Sequence, residues 1–346
     1  MAIYRVDLDL GTGDNDGTSW ANAIRTAAGL DALLDSTVDD ADIVYVKPCT
    51  WTLTEACDAS AADGTALAPI SIIGVIEAAD ETPTYAQWAP GANRPIFACG
   101  ANAVTFGDYW KVFNCVFTTT AADGIKFGAY CVVYNCKSEQ SSDTNDRVCF
   151  YSGNYDQFIS CEMCGLVGTG VVGMGINVQS AVNRILFCYF HDLRTGLSFG
   201  NNQSTAAFNI FDTCSVAAMY LGTRYGLLLL NNTSYNCPIG ISATTCYTSC
   251  IINNIIDTCS TSGIDWTTQT DINFFLGNHG NDTRNTDMWG ASDKIAVTMP
   301  HGELGGSATA ASTEGDPKFT TPGSDFSISS DSPCVGTGKM IELGVG

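Results

Sequence analysis

A short phrase recurs along this chain: one or two large apolar residues, then Cys or Asn, then more apolar residues. The copies are Phe113-Asn114-Cys115, Tyr134-Asn135-Cys136, Ile159-Ser160-Cys161, Leu186-Phe187-Cys188, Ala207-Phe208-Asn209, Leu230-Asn231-Asn232 and Ile252-Asn253-Asn254. They are separated by 21, 25, 27, 21, 23 and 22 residues. A repeat of this size is the mark of a solenoid, in which each supersecondary unit buries its apolar face only against a neighbour.

A second column keeps the same register. Gly124-Ile125-Lys126-Phe127 is echoed by Val148-Cys149-Phe150, Gly175-Ile176-Asn177-Val178, Gly196-Leu197-Ser198-Phe199, Met219-Tyr220-Leu221, Gly240-Ile241-Ser242-Ala243 and Gly263-Ile264-Asp265-Trp266. Apolar residues flank a mostly polar one, the period of two of a strand with one buried face. The glycines supply either a positive φ or a close backbone approach at a corner.

Repeats of about 22 residues holding short strands without intervening helices fit neither leucine-rich repeats nor propeller blades. They fit an all-β fold, a parallel β-helix, whose equivalent residues stack at about 4.8 Å. Cys115, Cys136, Cys161 and Cys188, followed by Asn209, Asn232 and Asn254, then form a structural ladder. Asn amides hydrogen-bond along such a stack, and thiols act as small apolar fillers.

The phrase Asp16-Gly17-Thr18-Ser19-Trp20-Ala21-Asn22-Ala23-Ile24, continuing to Leu34, predicts an N-terminal capping helix with Thr18 or Ser19 as N-cap and Trp20, Ile24, Leu30 and Leu34 buried. Strand signals follow at Asp42–Val46, Pro69–Gly74, Pro95–Ala98 and Ala103–Phe106. The expected organisation is an N-terminal segment and cap over 1–41, β-helix rungs over 42–280, and an irregular loop with closing strands over 281–346. With this opening phrase, the rungs, and the closing Asp316-Pro317-Lys318-Phe319, Asp325-Phe326-Ser327-Ile328 and Ser332-Pro333-Cys334, the chain resembles the right-handed parallel β-helix proteins of the pectate-lyase-like superfamily. That resemblance covers nearly the whole chain. It implies a fold and leaves activity open, because lyases, hydrolases, phage tailspikes and adhesins share the architecture.

Net charge is -21, from 15 basic and 36 acidic residues, which disfavours nucleic acid and anionic membranes as partners. No apolar run is long enough to span a bilayer, and Met1-Ala2-Ile3-Tyr4-Arg5 lacks the start of a secretory signal. Most of the 16 cysteines fall on strand or ladder positions, a third column being Cys214, Cys237 and Cys259. Buried free thiols made in a reducing cytoplasm are the leading expectation, ahead of inter-rung disulfides. Cys161-x-x-Cys164 and Cys246-x-x-x-Cys250 lack histidine partners at zinc spacing, so no metal and no cofactor are expected.

The resemblance implies either acidic residues for calcium with an Arg or Lys as base, as in pectate lyases, or paired aspartates with a Gly-His-Gly turn, as in polygalacturonase-like hydrolases. Gly277-Asn278-His279-Gly280 and Asn285-Thr286-Asp287 echo the latter in reversed order and too close together. The repeat itself offers another set, three residues after the ladder: Glu139, Cys164, His191, Asp212, Tyr235 and Asp257. His191, Asp212 and Asp257 are the candidate catalytic groups there, with Arg194 near Asp192 and Asp212 as a base; a polar corner ladder explains the same column. Tyr220, Trp266 and Trp289 are candidate glycan platforms.

Two functions follow. One is a non-enzymatic virion surface protein, a phage head decoration or tail-associated spike, forming homotrimers on capsid or tail proteins and touching host-surface polysaccharide. The alternative is a polysaccharide lyase or glycoside hydrolase binding glycan along the β-helix groove.

Overall fold

The computed structural model describes residues 1–53, 56–77, 79–88, 93–120, 124–141, 147–165, 173–268, 274–276, 278–281, 313–314, 317–321 and 325–332. Two compact units, Met1–Cys188 and Tyr189–Gly346, follow one construction rule. Each is built of three parallel sheets, with seven, five and five strands in the first unit and four, six and four in the second among the described residues. Strand, crossover and parallel strand repeat with the right-handed sense that twisted strands require. The fold is the expected right-handed parallel β-helix.

One rung of the second unit shows the rule. Leu228–Leu230 belongs to the first sheet, Thr233–Tyr235 to the second and Ile239–Tyr247 to the third, and Cys250–Ile252 begins the next turn. Three-residue strands point only their central side chain inward, here Leu229 and Ser234, both buried. The connections are corners of two, three and two residues. Asn231, Asn236 and Thr248 take left-handed φ values of 51°, 51° and 47°, and the buried Asn232, Cys237 and Ser249 follow them.

The ladders occupy these corners. In the first unit Cys136 Sγ donates to Val112 O (3.4 Å) one turn below and to Tyr134 O (3.5 Å) in its own turn. Cys161 and Cys188 repeat the pattern. In the second unit Asn209 donates through Nδ2 to Asn232 Oδ1 (2.9 Å), and Asn232 to Asn254 Oδ1 (3.0 Å). Asn254 in turn donates to Asn278 Oδ1 (3.0 Å), so the amide ladder runs one rung further than the sequence reading placed it. Asn278 is therefore not part of a hydrolase-like turn: it is fully buried and donates to Ile251 O at 2.8 Å.

A further column in the first unit escaped the sequence reading. Tyr109, Tyr130 and Tyr155 adopt φ of 58°, 61° and 60°, and their rings stack at 4.7 and 4.8 Å with interplanar angles of 5° and 1°. Beneath them, Cys131 N donates to Asp156 Oδ1 (2.8 Å) and Asp156 N to Asn183 Oδ1 (2.7 Å). The left-handed residues are thus mainly Asn, Ser, Thr and aromatics. Gly124 and Gly240 have no positive φ; a Cβ at Gly124 would collide with the backbone carbonyls of Val148 and Cys149, and one at Gly240 with Gly263 O and the Ile256 side chain, so close approach is what they provide.

The N-terminal helix begins later than expected. It spans Ala27–Ser36 with Thr26 as N-cap, whose Oγ1 accepts from Gly29 N at 3.1 Å. Thr18 is instead held by Asp16 Oδ1, which accepts from both its backbone N (2.9 Å) and its Oγ1 (2.8 Å), a local turn that competes with helix. Trp20 is anchored through Nε1 to Asp80 O (2.8 Å) and lies under the Lys47 ammonium. Leu30, Leu33 and Leu34 are buried, and Asp35 accepts from Asp58 N (2.9 Å) on the edge strand Cys57–Ala59. The sheets also start earlier than expected, because Ile3–Val6 already pairs in parallel with Ile43–Val46. No helix among the described residues is long and apolar enough to cross a membrane.

Two stability predictions follow from the corners. Asn232→Ala removes bonds to Asn209, Asn254 and Ala206 O and orphans buried donors, so denaturant unfolding should show a loss of about 3 kcal/mol. Asp156 is fully buried, and burial raises its carboxyl to about 8 although Cys131 N and Gly153 N donate to it. The folded chain therefore holds a proton that the unfolded chain has released above its ordinary carboxylate value, so stability falls as pH rises from about 4 to 8. In urea melts across that window, Asp156→Asn should show a flatter pH slope than the parent.

Candidate functional site

The second sheet of the second unit carries the column read from the repeat. Its strands Tyr189–His191, Ile210–Asp212, Thr233–Tyr235 and Ile255–Asp257 are three residues long. Their central residues Phe190, Phe211, Ser234 and Ile256 are buried inward, so the first and third positions face out. Register pairs His191 with Asp212, Asp212 with Tyr235, and Tyr235 with Asp257. The expected column is therefore assembled, at about 4.8 Å per step along the backbone. In the first unit the same position pairs Glu139 with Cys164, and Glu139 is held by Lys137 at 2.8 Å, which also reaches Glu162 at 2.9 Å.

Asp212 lies in strongly perturbed surroundings. It is 6% exposed, Oδ2 accepts from the Tyr189 hydroxyl at 3.4 Å, and Oδ1 has no hydrogen-bond partner. Burial holds its carboxyl above the ordinary value; the Tyr189 bond opposes this and the nearby Asp192 charge adds to it. Asp192, at the following corner with φ of 54°, lies 2.8 Å through Oδ2 from His191 Nδ1 and accepts from Thr213 Oγ1 at 3.2 Å. The His191 ring stacks on Tyr189 at 4.6 Å. Imidazole, phenol and carboxyl are thus fixed around one buried acid. Asp257 is also buried and accepts from Thr258 Oγ1 at 3.1 Å.

The corner beyond this column opens as a groove of about 330 Å³. Thr213, Asn236 and Thr258 line it together with Ser215, Pro238 and Ser260, and the buried Cys214 and Cys237 lie beneath. The face of the sheet itself is partly covered. The closing strands Phe319–Thr321 and Asp325–Ile328 form an antiparallel hairpin, and Phe319 and Phe326 pack edge-on against Tyr235, with ring centres at 6.0 and 5.6 Å.

The other expected site residues are dispersed. Arg194 lies past the corner, immediately before the third-sheet strand Thr195–Phe199. Tyr220 is exposed on the third-sheet strand Ala217–Tyr225, a different sheet from the carboxylates. Trp266 shares that third sheet but not the column: Tyr220 aligns with Ser242 and Asp265, whereas Trp266 aligns with Ala243. Tyr220 and Trp266 therefore stand on a different sheet from Asp212; Trp289 lies outside the described residues, as does Asn285-Thr286-Asp287. The sequence reading missed Tyr189, two residues before His191 on the same strand and hence on the same face, a relation that period-two alternation discloses.

No family model and no curated protein matches the chain. Solved structures do. The crystal structure of pectate lyase Pel9A superposes with a TM-score of 0.53 at 14% identity, covering 99% of this chain and 93% of that one. A PL6 family polysaccharide lyase from Pseudopedobacter saltans gives a TM-score of 0.45 at 9% identity over 89% and 96% of the two chains. An alginate lyase from Paenibacillus sp. str. FPU-7 gives 0.45 at 13% identity over 77% and 97%. At these identities the likeness is one of fold.

Proposed function

The chain is a parallel β-helix protein of pectate-lyase-like fold, and on that premise we propose that it cleaves polysaccharide, as a lyase or glycoside hydrolase, with Asp212 transferring the proton. The observation that carries this reading is the single unpartnered oxygen of the buried Asp212, beside Tyr189 and the Asp192-oriented His191. A carboxyl held above its ordinary value keeps its proton closer to neutral pH, which is what a general acid needs. The lyase names of the fold neighbours support the same class of substrate.

Asp212→Asn preserves shape and removes the transferable proton. Reducing-end release from a polysaccharide panel should fall by about 10²-fold or more, with the circular dichroism spectrum unchanged. In the parent, activity should decline as pH rises through the raised Asp212 value, where the acid is lost. Full activity in the variant, or no cleavage of any polysaccharide by the parent, overturns the proposal.

A second reading, a non-enzymatic virion surface protein assembling as a trimer on capsid or tail, draws support from the fifteen described cysteines, all free. Such an inventory suits synthesis in a reducing cytoplasm. Stoichiometric recovery of the chain with purified particles would favour it.

A further inference from the structure

The third residue of each three-residue strand in the second sheet of the second unit faces out, yet the two aspartates at that position are almost closed off. Asp212 is 6% exposed and Asp257 5%, whereas His191 and Tyr235, aligned with them on neighbouring strands, are half-buried. An outward carboxyl on a bare sheet is solvated, so burial at that position needs a cover. Tyr235 stands between the two aspartates in the register. It is Tyr235 that Phe319 and Phe326 meet edge-on, with ring centres at 6.0 and 5.6 Å.

The hairpin that carries those rings is fastened to itself. Ser329 N donates to Lys318 O (3.1 Å), Thr320 Oγ1 to Ser327 O (3.1 Å) and Ser332 Oγ to Pro317 O (2.6 Å). Lys318 pairs with Asp331, and the Phe319 and Phe326 rings pack on each other at 5.3 Å. A clip closed in this way keeps its form when it leaves the sheet, and the contact it gives up at Tyr235 is aromatic and edge-on, with no strand ladder to break there.

Resting on the reading that the protein cleaves polysaccharide through Asp212, we propose that the hairpin formed by Phe319–Thr321 and Asp325–Ile328 is a displaceable lid over the Asp212–Tyr235–Asp257 column, and that a glycan reaches the column by taking the place of the two phenylalanine rings on Tyr235. The structure is then the closed form, in which an oxygen of Asp212 is out of reach of solvent. Lifting the hairpin uncovers that carboxyl for the glycosidic oxygen and frees the Tyr235 ring as an apolar face for a sugar. Lids that gate a site in this way open on the microsecond to millisecond scale.

The test removes the rings from the full chain, in Phe326→Ala and in Phe319→Ala/Phe326→Ala, and takes two readings. One is the labelling of Asp212 and Asp257 by a water-soluble carbodiimide with an amine, followed residue by residue in a mass spectrometer. The other is reducing-end release from polygalacturonate, alginate, xylan and galactan. Both carboxyls should label about tenfold faster in the double variant than in the parent, with Phe326→Ala in between, and kcat/KM should rise through a lower KM. Circular dichroism and the urea midpoint report folding; should the double variant not fold, Phe326→Ala, which alters a half-buried ring, carries the test. Unchanged labelling of Asp212 in a folded variant overturns the lid, while loss of cleavage in Asp212→Asn still upholds the reading beneath it. Faster labelling with no gain in kcat/KM overturns displacement by glycan. Absence of cleavage by parent and variants alike overturns the polysaccharide reading, and the lid's part in it, whatever the labelling shows.

Discussion

Every turn of this protein depends on how its corners dispose of backbone and side-chain polar groups. A rung with three-residue strands places much of its chain at corners, where N–H and C=O groups leave the sheet ladder and would be buried unpaired. The recurring solution is a left-handed residue followed by a buried side chain that bonds the adjacent turn. Asn114, Asn135 and Ser160 reverse the chain in the first unit, with φ of 56°, 50° and 53°. Their own N–H groups donate to Tyr134 O, Ile159 O and Leu186 O one turn on. A left-handed non-glycine residue costs about 1–2 kcal/mol. The cost is met by continuing the inter-strand hydrogen bonds through the corner, and at Tyr109, Tyr130 and Tyr155 by ring stacking as well.

The two ladder chemistries solve the same problem differently. An Asn at the corner accepts from the ladder residue one turn below and donates to the residue above, so each amide completes its neighbour. A Cys fills the same volume and only donates weakly, to carbonyls in its own turn and the one below. Burial keeps four of the buried thiols protonated: it pushes Cys49 up to about 11 and Cys99 to about 12, and raises Cys136 and Cys188 well above the ordinary value. With little thiolate at neutral pH they are poor nucleophiles and poor metal ligands. Their role is volume.

Sequence legibility follows the same physics. The ladder and the His191–Asp212–Tyr235–Asp257 column are readable because strict stacking forces like chemistry to recur at one offset, whatever the loop lengths between. The Asn278 rung is less visible because Gly277-Asn278-His279-Gly280 resembles a catalytic turn when taken out of its 24-residue step from Asn254. The helix start is misplaced because Asp16 and Thr18 satisfy each other locally, and Thr26 caps instead. Tyr220 and Trp266 stand one position apart in the register, Tyr220 aligning with Ser242 and Asp265 and Trp266 with Ala243, as the second column of the repeat already indicates. Contacts made by the C-terminal hairpin, such as Phe319 on Tyr235, leave no periodic trace at all.

Two buried aspartates show how differently this fold surrounds a buried carboxyl. Asp156 and Asp212 are both raised, and in both burial is the leading cause. Asp156 receives a backbone N–H on each oxygen, from Cys131 and Gly153, and its own N–H completes the bond to Asn183. Its binding capacity is committed to holding a corner closed. Asp212 keeps one oxygen without a hydrogen bond and on the other receives a long bond from the Tyr189 phenol. An unsatisfied buried oxygen is costly in a folded protein, and a polar ladder that existed solely for stability would fill it, as the Asn column does one corner away. The proposed proton transfer from Asp212 would give that cost a function, and the loss of activity expected of Asp212→Asn is its measure.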